Sequence, residues 1–230
     1  MEYGSMLRNS FDYTVNGLWG NWGKWLLLFI SMIIFPLWLG YQWVIYKGES
    51  QLPPLDNWVE MFINGIKLII VSIVYFIIPM IVLMFVGGAG ILMGAATDNL
   101  GAGALIGLLI GFIVAFVFSL IALMALIRFA RTDSIGEAFN VSAIIAHIGK
   151  IGWLNYILAL IILWIVAVVA IIAFIIVVSI VSYILSLIPF VGGILALLLS
   201  AIVAILIGPF VGIFEAKYFT LIYDSAAAPA

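Results

Sequence analysis

The residues from Trp153 to Phe190 form one nearly unbroken apolar run, and this run constrains the fold more than any other feature. A helix needs about 20 apolar residues to cross the roughly 30 Å of hydrocarbon in a bilayer. The run is too long for one crossing, so it must turn or lie along the interface. Charged residues make up only 8% of the chain, against about 25% in soluble proteins. We therefore predict an integral membrane protein.

Several segments have the length and apolarity of a membrane span: Trp25 to Tyr46, Ile66 to Val86, Ala104 to Ile127, Trp153 to Val178, and Val191 to Phe214. They predict an all-α fold, a polytopic integral membrane helical bundle. We expect residues 25–224 to form a single transmembrane domain. Residues 1–24 are predicted to be an amphipathic segment without a cleaved leader, and residues 225–230 a disordered tail.

A polar stripe decides where the fourth span ends. Four residues after Val178 are spaced so that they share one face of a helix: Ser179, Ser182, Tyr183 and Ser186. We therefore predict that the span ends near Val178 and that a partly interfacial helix follows it.

The first apolar segment contains Pro36 at its centre. Proline breaks the ladder of helical hydrogen bonds and is tolerated at membrane depth where neighbouring groups cover the freed carbonyl. Two arrangements stay open. The fold has either four full spans plus a kinked or re-entrant first segment, or five full spans.

The lysines and arginines give the orientation, because positive charge resists translocation. With a re-entrant first segment, all eight cations lie on one side, whereas a full crossing leaves six inside and two outside. The C-terminus is predicted to be cytoplasmic in a multi-pass cell-membrane protein. The side of the N-terminus depends on the first segment.

The stretch from Ser134 to Ile148 is predicted to be a second amphipathic interfacial helix. Ser134 and Glu137 have the spacing of a capping box, and an apolar stripe follows them. Arg128 and Arg131 precede the stretch and are candidates for contact with anionic lipid headgroups.

Small residues recur at spacing four within two spans. The ladders contain Gly103, Gly107 and Gly111 in the third span, and Gly208 and Gly212 in the last. Such faces let helix backbones approach closely and gain dispersion contacts. They predict tight helix pairs, either within one chain or between copies, and we expect a homo-oligomer or a subunit of a membrane complex.

Ionisable residues are almost missing from the predicted spans. Between Leu68 and Ile127 the only acidic, basic or histidine residue is Asp98, and it falls in a predicted loop. Ion-coupled transporters keep carboxylates, histidines or arginines at membrane depth for their mechanism. The sequence therefore argues against ion-coupled secondary transport.

The chain offers little material for catalysis. It has no cysteine and one histidine, His147, so neither a nucleophile with its base nor a metal site can be assembled. We predict no enzymatic activity and no cofactor. The few charges also exclude a nucleic-acid surface, which leaves membrane lipids and other membrane chains as partners.

The start of the second span carries four polar residues on one helical face: Asn57, Glu60, Asn64 and Lys67. They are either a helix end wetted at the interface, with Trp43 and Trp58 as anchors, or a docking face for a partner.

A distinctive set of residues extends from the end of the predicted first span, through the connection, into the predicted second span. It contains Gly40, Tyr41, Gly48, Glu49, Leu52, Pro53, Asp56, Trp58, Phe62, Gly65, Lys67, Tyr75 and Pro79, and "RFARTDSIGEAF" follows at Arg128 to Phe139. The pattern resembles the signature of a family known as domain of unknown function 4013. The resemblance implies a prokaryotic, largely archaeal, polytopic membrane protein. It implies no activity, substrate or catalytic residue.

Our leading hypothesis is a non-enzymatic membrane protein with a structural or assembly role. The alternatives are a channel or permease component for a small or apolar solute, and a lipid-organising or membrane-shaping protein.

Overall fold

A computed structural model of the chain describes residues 2–96 and 100–227, apart from the side chains of residues 93, 100–103 and 204. The described residues form α-helices and short 3-10 helices, without a strand. The α-helices are α1 Tyr3–Leu18, α2 Trp22–Ile33, α3 Phe35–Tyr46, α4 Trp58–Ala96, α5 Leu100–Thr132, α6 Val141–Ile151, α7 Trp153–Ser186 and α8 Gly192–Asp224. The 3-10 helices are Ile135–Phe139 and Ser225–Ala227. The predicted all-α fold class is confirmed.

Four helices of the described residues are long and apolar enough to cross a membrane, namely α4, α5, α7 and α8. The longest, α4, has 39 residues, which is about 58 Å at 1.5 Å per residue. α4 packs against α5, and α7 packs against α8. We refer to α4 with α5 as the first hairpin and to α7 with α8 as the second hairpin.

The predicted first span is two short helices that meet at Ile34. α2 and α3 have 12 residues each, about 18 Å, which is too short to cross a bilayer. Pro36 lies in the first turn of α3, where its missing N–H is not needed. Of the two predicted arrangements, the structure has four long helices plus a broken first segment.

Two hydrogen bonds show that this segment turns back. Lys24, in the first turn of α2, donates to the carbonyl of Leu52 at 3.0 Å. Tyr41, in the second half of α3, donates to the neighbouring carbonyl of Pro53 at 2.9 Å. The start of α2 and the second half of α3 therefore lie at the same end of the molecule.

The predicted end of the fourth span at Val178 is wrong, because α7 continues to Ser186 without an interfacial helix. The hydroxyl of Ser186 donates to the carbonyl of Tyr183 at 2.6 Å, within the helix. Ser186 is the last residue of α7, so this bond lies where the helix ends. The chain breaks instead around Pro189, where a proline removes a backbone donor.

The predicted helix from Ser134 to Ile148 is divided in two. Ile135–Phe139 form a 3-10 helix, and α6 begins at Val141 with the side chain of Asn140 accepting from the N–H of Ala143 at 3.2 Å. The expected capping box is not formed, since Ser134 makes no side-chain cap bond. The side chain of Glu137 binds an arginine instead.

The terminal segments are partly tied to the bundle. α1 buries five residues, Met6, Ser10, Tyr13, Thr14 and Leu18, and packs against α8. Ser225–Ala227 continue α8 as a 3-10 turn, and residues 228–230, predicted as part of the tail, lie outside the described residues.

The buried side chains gather at one end of the four long helices. Among the described residues, no side chain larger than proline is buried between Tyr75 and Leu120, or between Leu163 and Ile213. The first hairpin and the second hairpin therefore extend from a common core without burying large side chains themselves. We call the core end, with the loop of residues 47–57, the polar end.

Candidate functional site

Two glycines bring α3 and α4 into backbone contact at the polar end. A Cβ atom at Gly40 would overlap the carbonyl group of Met61, and one at Gly65 would overlap the carbonyl oxygen of Pro36. Only glycine fits a crossing of this closeness. The close approach of the two backbones therefore explains why glycine stands at positions 40 and 65 of the signature.

The loop of residues 47–57 has no regular secondary structure, so its carbonyl groups need donors from elsewhere. Tyr13 of α1 donates to Gln51 at 3.3 Å, and Lys217 of α8 donates to Glu49 at 2.9 Å. The bonds from Lys24 and Tyr41 complete a run of occupied carbonyls from Glu49 to Pro53, with Ser50 as the one residue skipped. Four helices therefore hold this loop in place.

Arg131 of α5 also contacts the loop of residues 47–57. Gly48 has a φ of +93°, and a Cβ atom there would overlap the guanidinium of Arg131. The same guanidinium is 2.6 Å from a carboxylate oxygen of Asp224, near the end of α8. The ion pair and the glycine together join the loop to the ends of α5 and α8.

Arg128 is paired within the chain as well. Its Nε is 2.8 Å from Glu137, whose carboxylate also accepts from Asn140 at 3.4 Å. The hydrogen bond from Arg128 lowers the pKa of Glu137. Both arginines predicted as lipid headgroup contacts are therefore bound to carboxylates, with side chains 22% and 26% exposed.

His147 joins α6 to α8 in the described structure. Its Nε2 is 2.9 Å from the carbonyl oxygen of Tyr223, and the two rings stack with centroids 3.9 Å apart. Burial lowers the pKa of His147, against the opposing effect of the bond to Tyr223. The imidazole is thus held as a packing group, partly buried between two helices.

The four polar residues predicted to share one face at the start of α4 have different surroundings in the structure. Asn64 is 4% exposed and accepts from Lys67 at 3.0 Å, so these two bind each other. Glu60 is exposed and lines two adjoining open clefts of about 550 and 660 Å³. Asp56 lines both clefts as well. Among the described residues, no group of histidines, cysteines and carboxylates could hold a metal ion.

The glycine ladders lie against partners within the chain. Gly107 and Gly111 of α5 contact Gly87 and Leu83 of α4. On α8, Gly208 contacts Met32 and Gly212 contacts Trp38, both in the broken first segment. The surroundings of Gly103 lie outside the described residues.

Tyrosine hydroxyls form a set of contacts that the sequence patterns did not reveal. Tyr75 donates to the carbonyl of Ala138 at 2.7 Å, and Tyr156 donates to the carbonyl of Leu120 at 2.8 Å. A tyrosine within an apolar helix is the signal that could have found them, because a buried phenol needs a partner.

Residues 25–179 match the family described as "Protein of unknown function (DUF4013)". The chain belongs to this family. The DUF4013 match begins in α2 and ends in α7, so the family resemblance seen in the sequence is confirmed. No curated protein and no solved structure matches the chain.

The DUF4013 signature maps onto the contacts at the polar end. Gly40 and Gly65 form the helix crossing, while Tyr41 and Pro53 form the hydrogen bond that fixes the loop. Glu49 contributes its backbone carbonyl to Lys217. Asp56, Trp58 and Lys67 line the cleft at the start of α4. In this DUF4013 protein, the signature therefore describes a folded junction with an acidic cleft beside it.

Proposed function

We propose that this chain is a non-enzymatic structural protein of the cell membrane that associates with copies of itself. The observation that carries the proposal is the position of the buried side chains. The core is confined to the polar end, and the two hairpins extend from it with apolar side chains uncovered by the rest of the chain.

The outer surfaces of the hairpins carry large side chains. Phe85 of α4 is 76% exposed, Phe112 of α5 is 70% exposed, and Trp164 of α7 is 68% exposed. In a bilayer, such surfaces pack against lipid or against other helices, and helix association gains dispersion contacts. Phenylalanine and tryptophan offer large areas for these contacts.

The glycines support a particular form of association. Gly107, Gly111, Gly208 and Gly212 already contact neighbours in the same chain. Contact between copies would therefore use the large exposed side chains of the hairpins. This differs from a dimer built on a glycine ladder.

Cysteine cross-linking tests the association, because the natural chain has no cysteine. Phe85→Cys and Phe112→Cys place thiols on exposed surfaces of the first hairpin, and Leu68→Cys is the control, since Leu68 is 2% exposed. We expect disulfide-linked dimers from at least one exposed position and none from the control.

Dilution with lipid separates a specific interface from collision. After reconstitution, the cross-linked fraction should stay constant when the lipid-to-protein ratio is raised about tenfold. A fraction that falls in proportion to dilution, together with a monomeric mass in mild detergent, would contradict the proposal.

We also propose that the polar end faces the cytoplasm. Lys24, Lys217, Arg128 and Arg131 all make contacts there, and positively charged residues favour the cytoplasmic side. With the first segment re-entrant, both termini lie on this side. Gly4→Cys and Ala227→Cys should then be labelled from the cytoplasm by an impermeant reagent, whereas labelling from opposite sides would contradict this orientation.

A further inference from the structure

A cavity of about 290 Å³ lies between the two helices of the second hairpin. Its walls come from α7, from α8 and from Phe11 of α1, which packs edge to face on Phe210 with centroids 5.8 Å apart. The lining is apolar except for one carboxylate, that of Glu215. The cavity follows α8 from Ile207 to Glu215, which is about 12 Å at 1.5 Å per residue.

Glu215 has no hydrogen bond and no ion pair within the described part of the chain. Lys217 and Arg131 have other partners: Lys217 binds the carbonyl of Glu49, and Arg131 binds Asp224. The phenol of Tyr46 lies within electrostatic range of Glu215 but carries no positive charge. Glu215 is partly buried, so a cation bound beside it would compensate its charge where lipid replaces water around the cavity.

We propose that this cavity binds a membrane phospholipid whose headgroup carries a primary amine, such as phosphatidylethanolamine. The ammonium binds the carboxylate of Glu215, and one acyl chain lies in the apolar part of the cavity towards Ile207. The order of the groups favours this occupant. Glu215 is the lining residue of α8 nearest the polar end, so carboxylate and apolar wall follow one another as headgroup and tail do in a bilayer.

The headgroup chemistry decides between lipids. A primary ammonium donates N–H hydrogen bonds to a carboxylate, and such charge-assisted bonds are short and strong. A choline headgroup has no N–H to donate, and a glycerol headgroup has no positive charge. Arg8, one turn before Phe11 on α1, is largely exposed and available for the lipid phosphate, although it lies 3.7 Å from Asp12.

The test is native mass spectrometry of the full chain, released from bilayers with equal amounts of phosphatidylethanolamine, phosphatidylcholine and phosphatidylglycerol. We expect the natural chain to retain phosphatidylethanolamine preferentially. Glu215→Gln keeps the shape of the side chain and removes its charge. Losing a charge-assisted hydrogen bond should lower the retention of this lipid about tenfold or more.

Matched variants separate the charge from the cavity. Ala170→Phe fills the cavity and should abolish retention of all three lipids, whereas Ile172→Phe, at an exposed position on the opposite side of the same helix, should have no effect. Glu60→Gln removes a carboxylate outside the cavity and should leave the lipid preference unchanged.

Two results would overturn the proposal: equal retention of the three lipids by the natural chain, or an unchanged preference in Glu215→Gln. The same spectra report the number of protein copies independently. A lipid-selective monomer would therefore contradict the proposed self-association and leave the lipid site standing.

Discussion

The backbone of Gly65 in α4 lies against the carbonyl oxygen of Pro36 at the start of α3, with no room for a Cβ atom between them. Gly40 and Met61 form a second contact of the same kind, one turn along each helix. Because the obstructing atoms belong to the backbone, no rotation of a side chain can make room. The fold of the first segment depends on this crossing.

Gly65→Ala should therefore lower the stability of the protein by about 3 kcal/mol, since the helices must separate to admit a methyl group. Gly88→Ala is the matched control on the same helix, because a Cβ atom there meets nothing within 4 Å. The control should gain roughly 0.5 to 1 kcal/mol from helix propensity. Thermal midpoints in one detergent provide the measurement, and equal midpoints for the two variants would contradict the close crossing.

Tyr75→Phe should remove the hydrogen bond to the carbonyl of Ala138 and leave that buried oxygen without its donor. The expected loss is about 1 to 3 kcal/mol. Tyr183→Phe, at a tyrosine that is 68% exposed, should change stability by less than about 0.5 kcal/mol. Hydrogen exchange should quicken at Ile135–Phe139 in the first variant only. Unchanged exchange there would show that the bond does not hold the segment.

The pair of Arg128 and Glu137 predicts a loss of stability in acid. The pKa of Glu137 is lowered in the folded chain, mainly by the hydrogen bond from Arg128. The contribution of the pair is therefore complete above the unfolded pKa of about 4.3 and is lost as the pH falls through the lower folded value. Thermal midpoints measured between pH 6 and 3, values chosen to bracket about 4.3, should fall less steeply in Glu137→Gln than in the natural chain. Parallel curves would contradict the assignment.

His147 predicts a second pH dependence at a higher range. Burial lowers its pKa in the folded chain below the unfolded value of about 6.5, so the unfolded chain binds the proton more tightly. The contribution of His147 to the free energy of unfolding is therefore at its full value above about pH 6.5, and it is lost as the pH falls towards the folded pKa. His147→Gln does not titrate and should remove this step from the pH profile, whereas a step that persists would have to come from another group.

Hydrophobicity and length were sufficient to predict the all-α fold and the four long helices. Chain breaks were harder, because they depend on partners far away in sequence. The bonds from Lys24 and Tyr41 to adjacent loop carbonyls decide that the first segment turns back, and no periodicity in residues 25–46 encodes them. The prediction from the stripe after Val178 was wrong because a polar face does not by itself end a helix, and the chain breaks only around Pro189.

The site was predicted in outline through the family signature, but its chemistry was not. The side chains of Arg128 and Arg131 looked available to lipid because their partners, Glu137 and Asp224, are 9 and 93 residues away. The cavity at Glu215 had no sequence signal, because it requires α1, α7 and α8 to meet. Spacing within one helix cannot reveal a site shared among three.

The confinement of the core to the polar end has a consequence for the bilayer that surrounds the protein. A helix longer than the local hydrocarbon thickness adjusts by tilting or by thickening the bilayer around it. Since the outer parts of the first hairpin and the second hairpin bury no large side chain in the described structure, each hairpin can tilt without disrupting a shared core. The protein can then accommodate membranes of different thickness while the junction at Gly40 and Gly65 keeps its geometry.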